Sequence, residues 1–199
     1  MPSVEEIRGK YLQMLVGTGV DEELVKWLDD NGFFTAPATT KYHHSFPGGL
    51  ALHSIEVANI LVSLANTFGV KRSENELIRL GLLHDISKTN YFELTSINKK
   101  VYTPDGSKWD ELGNFEWKSE VGYKVVDVTE RDTFGNFGFK SYMKAKDYVD
   151  FSNDDITALC NYLYVVQPND AGETIALMDV NPTLVLLHMA DTASSYLLH

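Results

Sequence analysis

The sequence has almost no cysteine and no uninterrupted apolar run of the length a membrane span needs. Cys160 is the only cysteine in 199 residues, so an internal disulfide, a CxxC redox pair and a cysteine-rich zinc module are excluded. No stretch approaches the roughly 18 apolar residues of a membrane span. Glu5 and Glu6 also stand where a signal peptide needs positive charge. We therefore expect a cytoplasmic protein in a reducing compartment, with no membrane partner.

Basic residues are also scarce. The 17 Lys and Arg face 28 Asp and Glu, which gives a formal charge of -11 and a surface that repels polyanions. This balance argues against long nucleic acid as a partner. A small phosphorylated substrate stays compatible, because a bound cation can hold phosphate where the net charge cannot. The acidic excess is uneven: residues 90–150 hold nine of the 17 basic residues and carry a net charge of only -2.

Several common catalytic signatures are missing. The sequence contains no GxxxxGK[ST], GxGxxG, HExxH or GxSxG motif. It therefore gives no support for a P-loop, dinucleotide-binding, zincin or serine-hydrolase protein. It also lacks fixed-period repeats and Pro/Gly/Ser-rich linkers. With 44% hydrophobic and 23% charged residues, the composition is that of one soluble globular domain.

Helical signals cover most of the chain. Capping boxes at Ser3-x-x-Glu6, Ser73-x-x-Glu76 and Ser152-x-x-Asp155 predict three helix starts. Gly32 and Gly69 are expected to end two helices, and Pro182 to begin the last one. The predicted helices run from Ser3 to about Val16, Asp21 to Asn31, Gly49 to Phe68, Ser73 to about Lys88, onward from Ser152, and from about Pro182 to Leu198.

One region breaks this helical pattern. Between Thr89 and Val128 the helical period gives way to Tyr, Phe, Val, Thr and Trp around the turn signal Thr103-Pro104-Asp105-Gly106. The predicted fold class is therefore all-α with a small antiparallel β-hairpin or sheet insertion.

Four polar residues lie where the pattern predicts burial. His53 falls on an apolar stripe of its helix, His84 shares a face with leucines, and Asp191 does so on the last helix. Asp85 follows His84 and is expected about 100° further round the same helix. Buried carboxylates without partners cost several kcal/mol, and one divalent cation would satisfy all four groups. Two imidazoles and two carboxylates suit Mn, Fe, Co, Ni or Zn, and Mg less well. Taken singly, a core His bonded to backbone or an Asp acting as a helix cap is the more common arrangement.

Three sequence blocks give these residues a family context. The chain resembles the HD superfamily of metal-dependent phosphohydrolases, whose pattern is H...HD...D, and is most similar to small phage-type HD proteins with a β insert. The whole chain is expected to form a single HD-type domain over residues 1–199, with N-terminal helices at about 1–32 and a strand-rich insert at about 89–140. The resemblance, which reaches from about His43 to the C-terminus, implies an all-helical core. It also implies His53, His84, Asp85 and Asp191 as metal ligands. The blocks are Pro47-Gly48-Gly49-Leu50-Ala51-Leu52-His53-Ser54, Leu82-Leu83-His84-Asp85-Ile86-Ser87-Lys88 and Leu187-His188-Met189-Ala190-Asp191.

The chain also departs from the HD proteins that hold two metal ions. Those place two further His between the HD pair and the last Asp, whereas no His lies between His84 and His188 here. Phe137 and Tyr162 stand where they would be. The departure favours one divalent ion, or a site that has lost catalysis.

The resemblance implies hydrolysis of a phosphate ester or anhydride of a small nucleotide, a nucleoside mono- or triphosphate. Two alternatives stay open: a phosphodiesterase or 3′-5′ exonuclease on short oligonucleotides, and a non-catalytic module that binds metal or nucleotide. Small HD domains often associate, so the expectation extends to a homodimer.

Further roles are assigned to residues near these motifs. Asp85 is expected to orient a water, and Lys88 to offset charge developing on phosphate, with a cation favoured by the helix C-terminus as its alternative. His188 is expected to act as a general acid or to orient a ligand, or else to pack in the core. His44 is expected to reach substrate from its loop while His43 points elsewhere, unless both are exposed.

Substrate contacts are also expected from the insert. Lys140 and Arg131 would meet substrate or else remain solvated surface charges. Its aromatic residues would stack on a base or, more commonly, pack the sheet against the helices. They are Tyr91, Phe92, Trp109, Trp117 and Tyr123.

Overall fold

The computed structural model describes residues 2–166 and 171–198. These residues form eight α-helices and one three-stranded antiparallel sheet, which confirms the predicted fold class of an all-α core with a small antiparallel insertion. The helices are α1 Val4–Leu15, α2 Glu22–Asp30, α3 Gly49–Phe68, α4 Glu74–Leu83, α5 Phe137–Ala145, α6 Asn153–Asn161, α7 Ala171–Val180 and α8 Pro182–Leu197. The strands are β1 Phe92–Tyr102, β2 Lys108–Asp110 and β3 Gly113–Val125.

The helix limits follow local chemistry. All three capping boxes, at Ser3, Ser73 and Ser152, are formed with both of their hydrogen bonds. Gly69 ends α3 in the left-handed conformation at a φ of 68°, which costs glycine little. The prediction for α4 is wrong, because this helix ends at Leu83 and a separate 3-10 turn covers Ile86–Lys88. Short α5 and α7 also lacked sequence signals strong enough to predict them.

Helix α3 is the centre of the helical core. It packs against α1, α4 and α8, and residues such as Leu50, Ile55 and Leu61 are buried. By length and composition this helix is apolar enough to cross a membrane, contrary to the expectation that no such run exists, yet more than half of that stretch is buried inside the protein. Its apolar character is that of a core helix surrounded by other helices.

The sheet is a long ribbon with a short third strand. Its strand order is β1-β3-β2, so the turn from Thr103 to Gly106 connects strands that are not neighbours. Gly106 is needed there, because a Cβ would lie 2.4 Å from the Phe115 backbone nitrogen. At the base of the ribbon, the Val126 amide donates to the Tyr91 carbonyl at 3.1 Å, so the ribbon leaves the helical core and returns to it at neighbouring positions. The strands end at Val125, so the later part of the predicted insert, residues 126–140, is a 3-10 turn, loop and the start of α5.

The two faces of the ribbon differ. The pairs Leu94↔Tyr123, Ser96↔Val121 and Lys100↔Trp117 place mainly apolar side chains on one face. The pairs Glu93↔Lys124 and Ile97↔Glu120 place mainly charged side chains on the other. Trp109, Trp117 and Val121 are 74%, 49% and 78% exposed. The expectation that both tryptophans pack the sheet against the helices is therefore wrong, since the ribbon projects from the core.

Candidate metal centre

The first two predicted ligands come from adjacent helices. His53 lies within α3, and His84 caps the C-terminal end of α4. The helices approach closely at Gly81, where a Cβ would lie 2.5 Å from Ala58 Cα. This approach brings the two imidazole rings to a centroid distance of 5.2 Å, and both side chains are completely buried.

Hydrogen bonds fix how each ring is oriented. His84 Nδ1 donates to the Gly81 carbonyl at 2.7 Å. Ser194 donates its only hydroxyl proton to Glu56 at 2.8 Å, so its oxygen accepts from His53 Nδ1 at 2.9 Å. Burial also lowers the pKa of His53, which keeps that ring neutral. Both Nε2 atoms are buried without a hydrogen-bond partner in the described part of the chain, and each turns a lone pair towards the same point.

Carboxylates lie at that point. Asp191 Oδ1 is 3.1 Å from His53 Nε2 and 3.9 Å from His84 Nε2, and one ligand atom from each of these three residues lies within 4.8 Å of the others. Asp85 Oδ2 is 3.8 Å and 3.5 Å from the same nitrogens. Imidazole lone pairs facing carboxylate oxygens need a cation between them, so these four residues fit a single divalent ion.

The position of Asp85 depends on where α4 ends. The sequence predicts this residue about a quarter-turn away from His84, which is wrong, because the chain leaves the helix and Asp85 takes a φ of -120°. Its carboxylate is buried and accepts from Tyr162 Oη at 3.1 Å and Lys88 Nζ at 2.5 Å. Burial alone would raise the pKa of Asp85, but the charge of Lys88 holds it well below its usual value.

Lys88 is held in this site by that carboxylate. It lies in the 3-10 turn, not on a continued α4. Burial would lower the pKa of its ammonium, but the Asp85 charge raises it above the usual value. Lys88 is therefore a fixed positive charge beside Asp85, and the alternative of a cation at a helix C-terminus does not describe its contacts.

Both loop histidines face the centre. The ring centroids of His43 and His44 are 5.2 Å and 5.7 Å from that of His53, so the expectations that His43 points elsewhere or that the pair is exposed are wrong. His44 is buried, with Nε2 3.1 Å from Glu56. The loop lies so close to α3 that a Cβ at Gly49 would be 2.0 Å from the His44 carbonyl. Burial lowers the pKa of His43 to about 4.

The other predicted site residues lie further out. His188 is half-buried on α8, its Nδ1 has no hydrogen-bond partner among the described residues, and no described contact joins it to the four candidate ligands. Lys140 and Arg131 line a cleft on the side of α5, together with Tyr91. The structure therefore separates these cations from the candidate metal centre.

Sequence reasoning missed three supporting residues. Glu56 and Ser194 each lie three residues after a predicted ligand, on the same helix face, and this spacing was a usable signal. Tyr162 was noted only as standing in place of a histidine. Its hydrogen bond to Asp85 depends on how α6 packs, which has no local signature.

Comparison with known proteins agrees with this geometry. The family model of the HD domain matches residues 50–179, and the chain belongs to the HD-domain family. The match confirms the resemblance to HD proteins; it contains His53, His84 and Asp85, whereas the block with Asp191 lies beyond it. No solved structure matches the chain.

Among curated proteins, three relatives illustrate the chemistry of the family. One, from Methanocaldococcus jannaschii, is a dihydroneopterin 2′,3′-cyclic phosphate phosphodiesterase, 32% identical over 98 residues that cover 42% of this chain and 35% of the relative. Ribonuclease Y of Mesoplasma florum is 38% identical over 76 residues, 38% of this chain and 13% of the relative. The 3′-5′ exoribonuclease YhaM of Bacillus licheniformis is 34% identical over 76 residues, 38% of this chain and 23% of the relative. The matches span about a third or less of each relative.

Proposed function

We propose that this chain is a metal-dependent phosphohydrolase that hydrolyses a phosphate ester or anhydride of a small nucleotide. The observation that carries the proposal is the pair of buried, unpartnered Nε2 atoms of His53 and His84, which face the carboxylates of Asp85 and Asp191. These residues would hold one divalent ion. Such an ion polarises a phosphoryl oxygen and lowers the pKa of a water.

The surrounding residues of the chain would position the substrate. Asp85 lies between the two imidazoles and Lys88, so its carboxylate would hold the ion and orient the attacking water, while its low pKa keeps it from taking the proton of that water. The Lys88 ammonium, 2.5 Å from Asp85, would offset negative charge that develops on the phosphate. His43 stays neutral near pH 7, because its pKa is about 4, and would accept a hydrogen bond at the edge of the site.

A cleft beside this site has the size for a small substrate. It encloses about 490 Å³ and is lined by Tyr42, His43, Ser195 and Tyr196. Ser195 follows Ser194, the residue that orients His53. Tyr42 and Tyr196 are both largely exposed, and their rings would provide stacking surfaces for a base. These features support a nucleotide as the substrate class.

The contacts of Tyr162 support one ion instead of two. Its hydroxyl donates to Asp85 Oδ1, so only the other oxygen faces the imidazoles. Burial and the neighbouring Asp85 raise the pKa of this hydroxyl well above its usual value, and the proton stays in place. A neutral phenol does not replace the imidazole ligand that a second ion would need.

A second candidate function is cleavage of a phosphodiester in a short oligonucleotide. It is favoured by the relatives, which include a cyclic-phosphate phosphodiesterase and two ribonucleases. The net charge of -11 favours the smaller substrate. A steep loss of oligonucleotide cleavage with rising salt would reverse this order.

The test measures bound metal and turnover together. Protein purified without chelator would be analysed for metal and screened against nucleotides and short oligonucleotides with Mn, Co, Ni and Mg. We expect His84→Ala and Asp85→Asn to lower both bound metal and turnover by more than about a hundredfold, since each removes a direct ligand. Asp110→Asn, the same change on the ribbon, is the control and should alter neither.

Two outcomes would overturn the proposal. Unchanged turnover in both variants would remove these residues from the site. Bound metal without turnover on any substrate would instead identify a binding module of the HD fold.

A further inference from the structure

A second cleft opens on the side of α5, where the base of the ribbon meets the core. It encloses about 390 Å³. Its lining includes the basic side chains of Arg131, Lys140 and Lys144, the ring of Tyr91, and the carboxylates of Glu130 and Asp132.

Lys140 is the unusual residue of this cleft. The residue is only 8% exposed, so most of its stem is buried and the ammonium end is left to face the cleft that it lines. Among the described residues this ammonium has no carboxylate or hydrogen-bond partner, and Nζ lies 5.3 Å from the centroid of the Phe137 ring. A cation–π contact does not neutralise the charge, so an anion in the cleft would gain a charged partner.

Neighbouring groups leave this charge uncompensated. Asp132 pairs with Lys144 at 3.0 Å, and Glu130 is exposed to solvent. Arg131 lies over the Tyr91 ring, bonds its hydroxyl, and keeps a buried Nε without a partner. The cleft thus presents unused donors from two cations, whereas the hydroxyls of Ser87 and Thr89 already donate to backbone carbonyls.

The cleft lies close to the candidate metal centre. One ring contacts a cation of each, because Lys88 Nζ is 5.2 Å and Lys140 Nζ 5.3 Å from the centroid of Phe137. The two ammonium groups are therefore no further apart than about twice that distance. A single extended molecule with two phosphate groups can span this separation.

We propose that this cleft is a phosphate-binding subsite in which Lys140 and Arg131 hold a second phosphate group of the substrate. The identity of that phosphate as part of a substrate rests on the proposed function. Binding of phosphate to the cleft does not, because it uses none of the four candidate metal ligands. The subsite selects nucleotides that carry a phosphate beyond the one that is hydrolysed.

The first experiment measures binding of inorganic phosphate and pyrophosphate by calorimetry. Lys140→Met keeps the length of the side chain and removes its charge, and we expect affinity to fall about tenfold or more. Lys146→Met is the matched control, since Lys146 lies just after the same helix and pairs with Asp147 at the surface. It should change affinity less than about twofold.

The metal-site variant separates the two sites. His84→Ala should retain the pyrophosphate affinity of the cleft. Loss of binding in His84→Ala together with full binding in Lys140→Met would overturn the proposal, as would the absence of pyrophosphate binding to the unmodified chain. Thermal unfolding shows whether each variant is folded, and Lys140→Arg should restore affinity if Met disrupts the fold.

The second experiment uses turnover. Lys140→Met should raise KM for a nucleotide with two or more phosphate groups and leave KM unchanged for an aryl monophosphate. No change for either substrate would show that the cleft binds a separate phosphate and not part of the substrate, and an equal rise for both would contradict a subsite for a second phosphate group. If the unmodified chain hydrolyses nothing, the proposed function fails, while the binding experiment still decides the subsite.

Discussion

The helical core and the ribbon differ in the exposure and the pairing of their polar and charged side chains. On the ribbon, charged side chains are exposed and paired across strands, as in Lys124 with Glu93 at 2.9 Å and Lys100 with Asp110 at 2.5 Å. In the core, His53 and His84 are completely buried, and among the described residues their Nε2 atoms have no hydrogen-bond partner. Exposed pairs cost little and contribute little. Buried groups without a partner are costly, so two of them that face one point indicate a site that a ligand completes.

The two regions also differ in the exposure of their apolar side chains. The core buries leucines such as Leu50 and Leu61 completely, whereas the ribbon exposes Leu94, Trp117 and Val121 on one face. The ribbon therefore gains little from burial, and its cross-strand pairs and backbone ladder hold it. Functional residues are therefore best sought where polar groups are buried without a partner, because the charged side chains of the ribbon pair with one another.

The largest expected effect tests whether every buried charge in the core serves the metal centre. Asp155 is buried and fully paired, with Arg72 at 2.6 Å and Arg79 at 3.2 Å. Asp155→Ala should lower the free energy of unfolding by about 3–5 kcal/mol, because it removes the carboxylate partner of Arg79 and one of the two of Arg72, and breaks the capping box at Ser152. Urea unfolding measures this, and metal content per folded molecule should stay unchanged.

The exposed pair of Arg8 and Asp29, at 2.7 Å, is the control for that change. Asp29→Ala should cost about 1 kcal/mol or less. A comparable cost for both variants would contradict the contrast between buried and exposed charge.

A smaller effect is expected where the core helices approach most closely. Gly81→Ala would place a methyl group 2.5 Å from Ala58 Cα, so α3 and α4 must separate, at a cost of about 1–3 kcal/mol. Separation also moves His84 away from His53, and metal affinity should fall in the same variant. Both quantities can be measured by unfolding and by metal titration.

Gly9 provides the matched control, since nothing lies within 4 Å of a Cβ there. Gly9→Ala should stabilise the protein by about 0.5–1 kcal/mol, because alanine is the better helix former. Full metal affinity in Gly81→Ala would show that helix spacing does not position the two rings.

The smallest effect is expected on the ribbon. Val121 is 78% exposed, so Val121→Thr removes apolar surface that is already in water and keeps the β-branched shape. The free energy of unfolding should change by no more than about 0.5 kcal/mol. A larger loss would mean that this face is covered in solution, and sedimentation analysis would then detect association.

The sequence predicted the parts of the site that depend on regular periodicity. His53 lies inside a long helix whose limits, Gly49 and Phe68, match the structure. Its inward orientation follows from the apolar stripe alone. The fold class, the capping boxes and the strand-rich insert were also readable, because each depends on residues close together in the chain.

The features that could not be predicted depend on where a helix is interrupted and on how the elements pack against one another. Asp85 turns into the site because α4 stops at Leu83, and no glycine or proline in that stretch marks the end. Lys140 was expected to be a surface cation or a substrate contact, and its burial without an anion depends on how α5 packs beside the base of the ribbon. His43 and His44 converge on His53 because their loop is held against Gly49.

The backbone hydrogen bond between Val126 and Tyr91 allows the ribbon to be replaced by another segment. The ribbon leaves the core and returns to it at neighbouring residues, so a change in ribbon length does not alter the distance between the two points where it joins the core. The segment between these two residues is an exchangeable module. A shorter turn, a longer ribbon or an inserted reporter peptide joined at residues 91 and 126 leaves the helices that carry His53, His84 and Asp191 where they are.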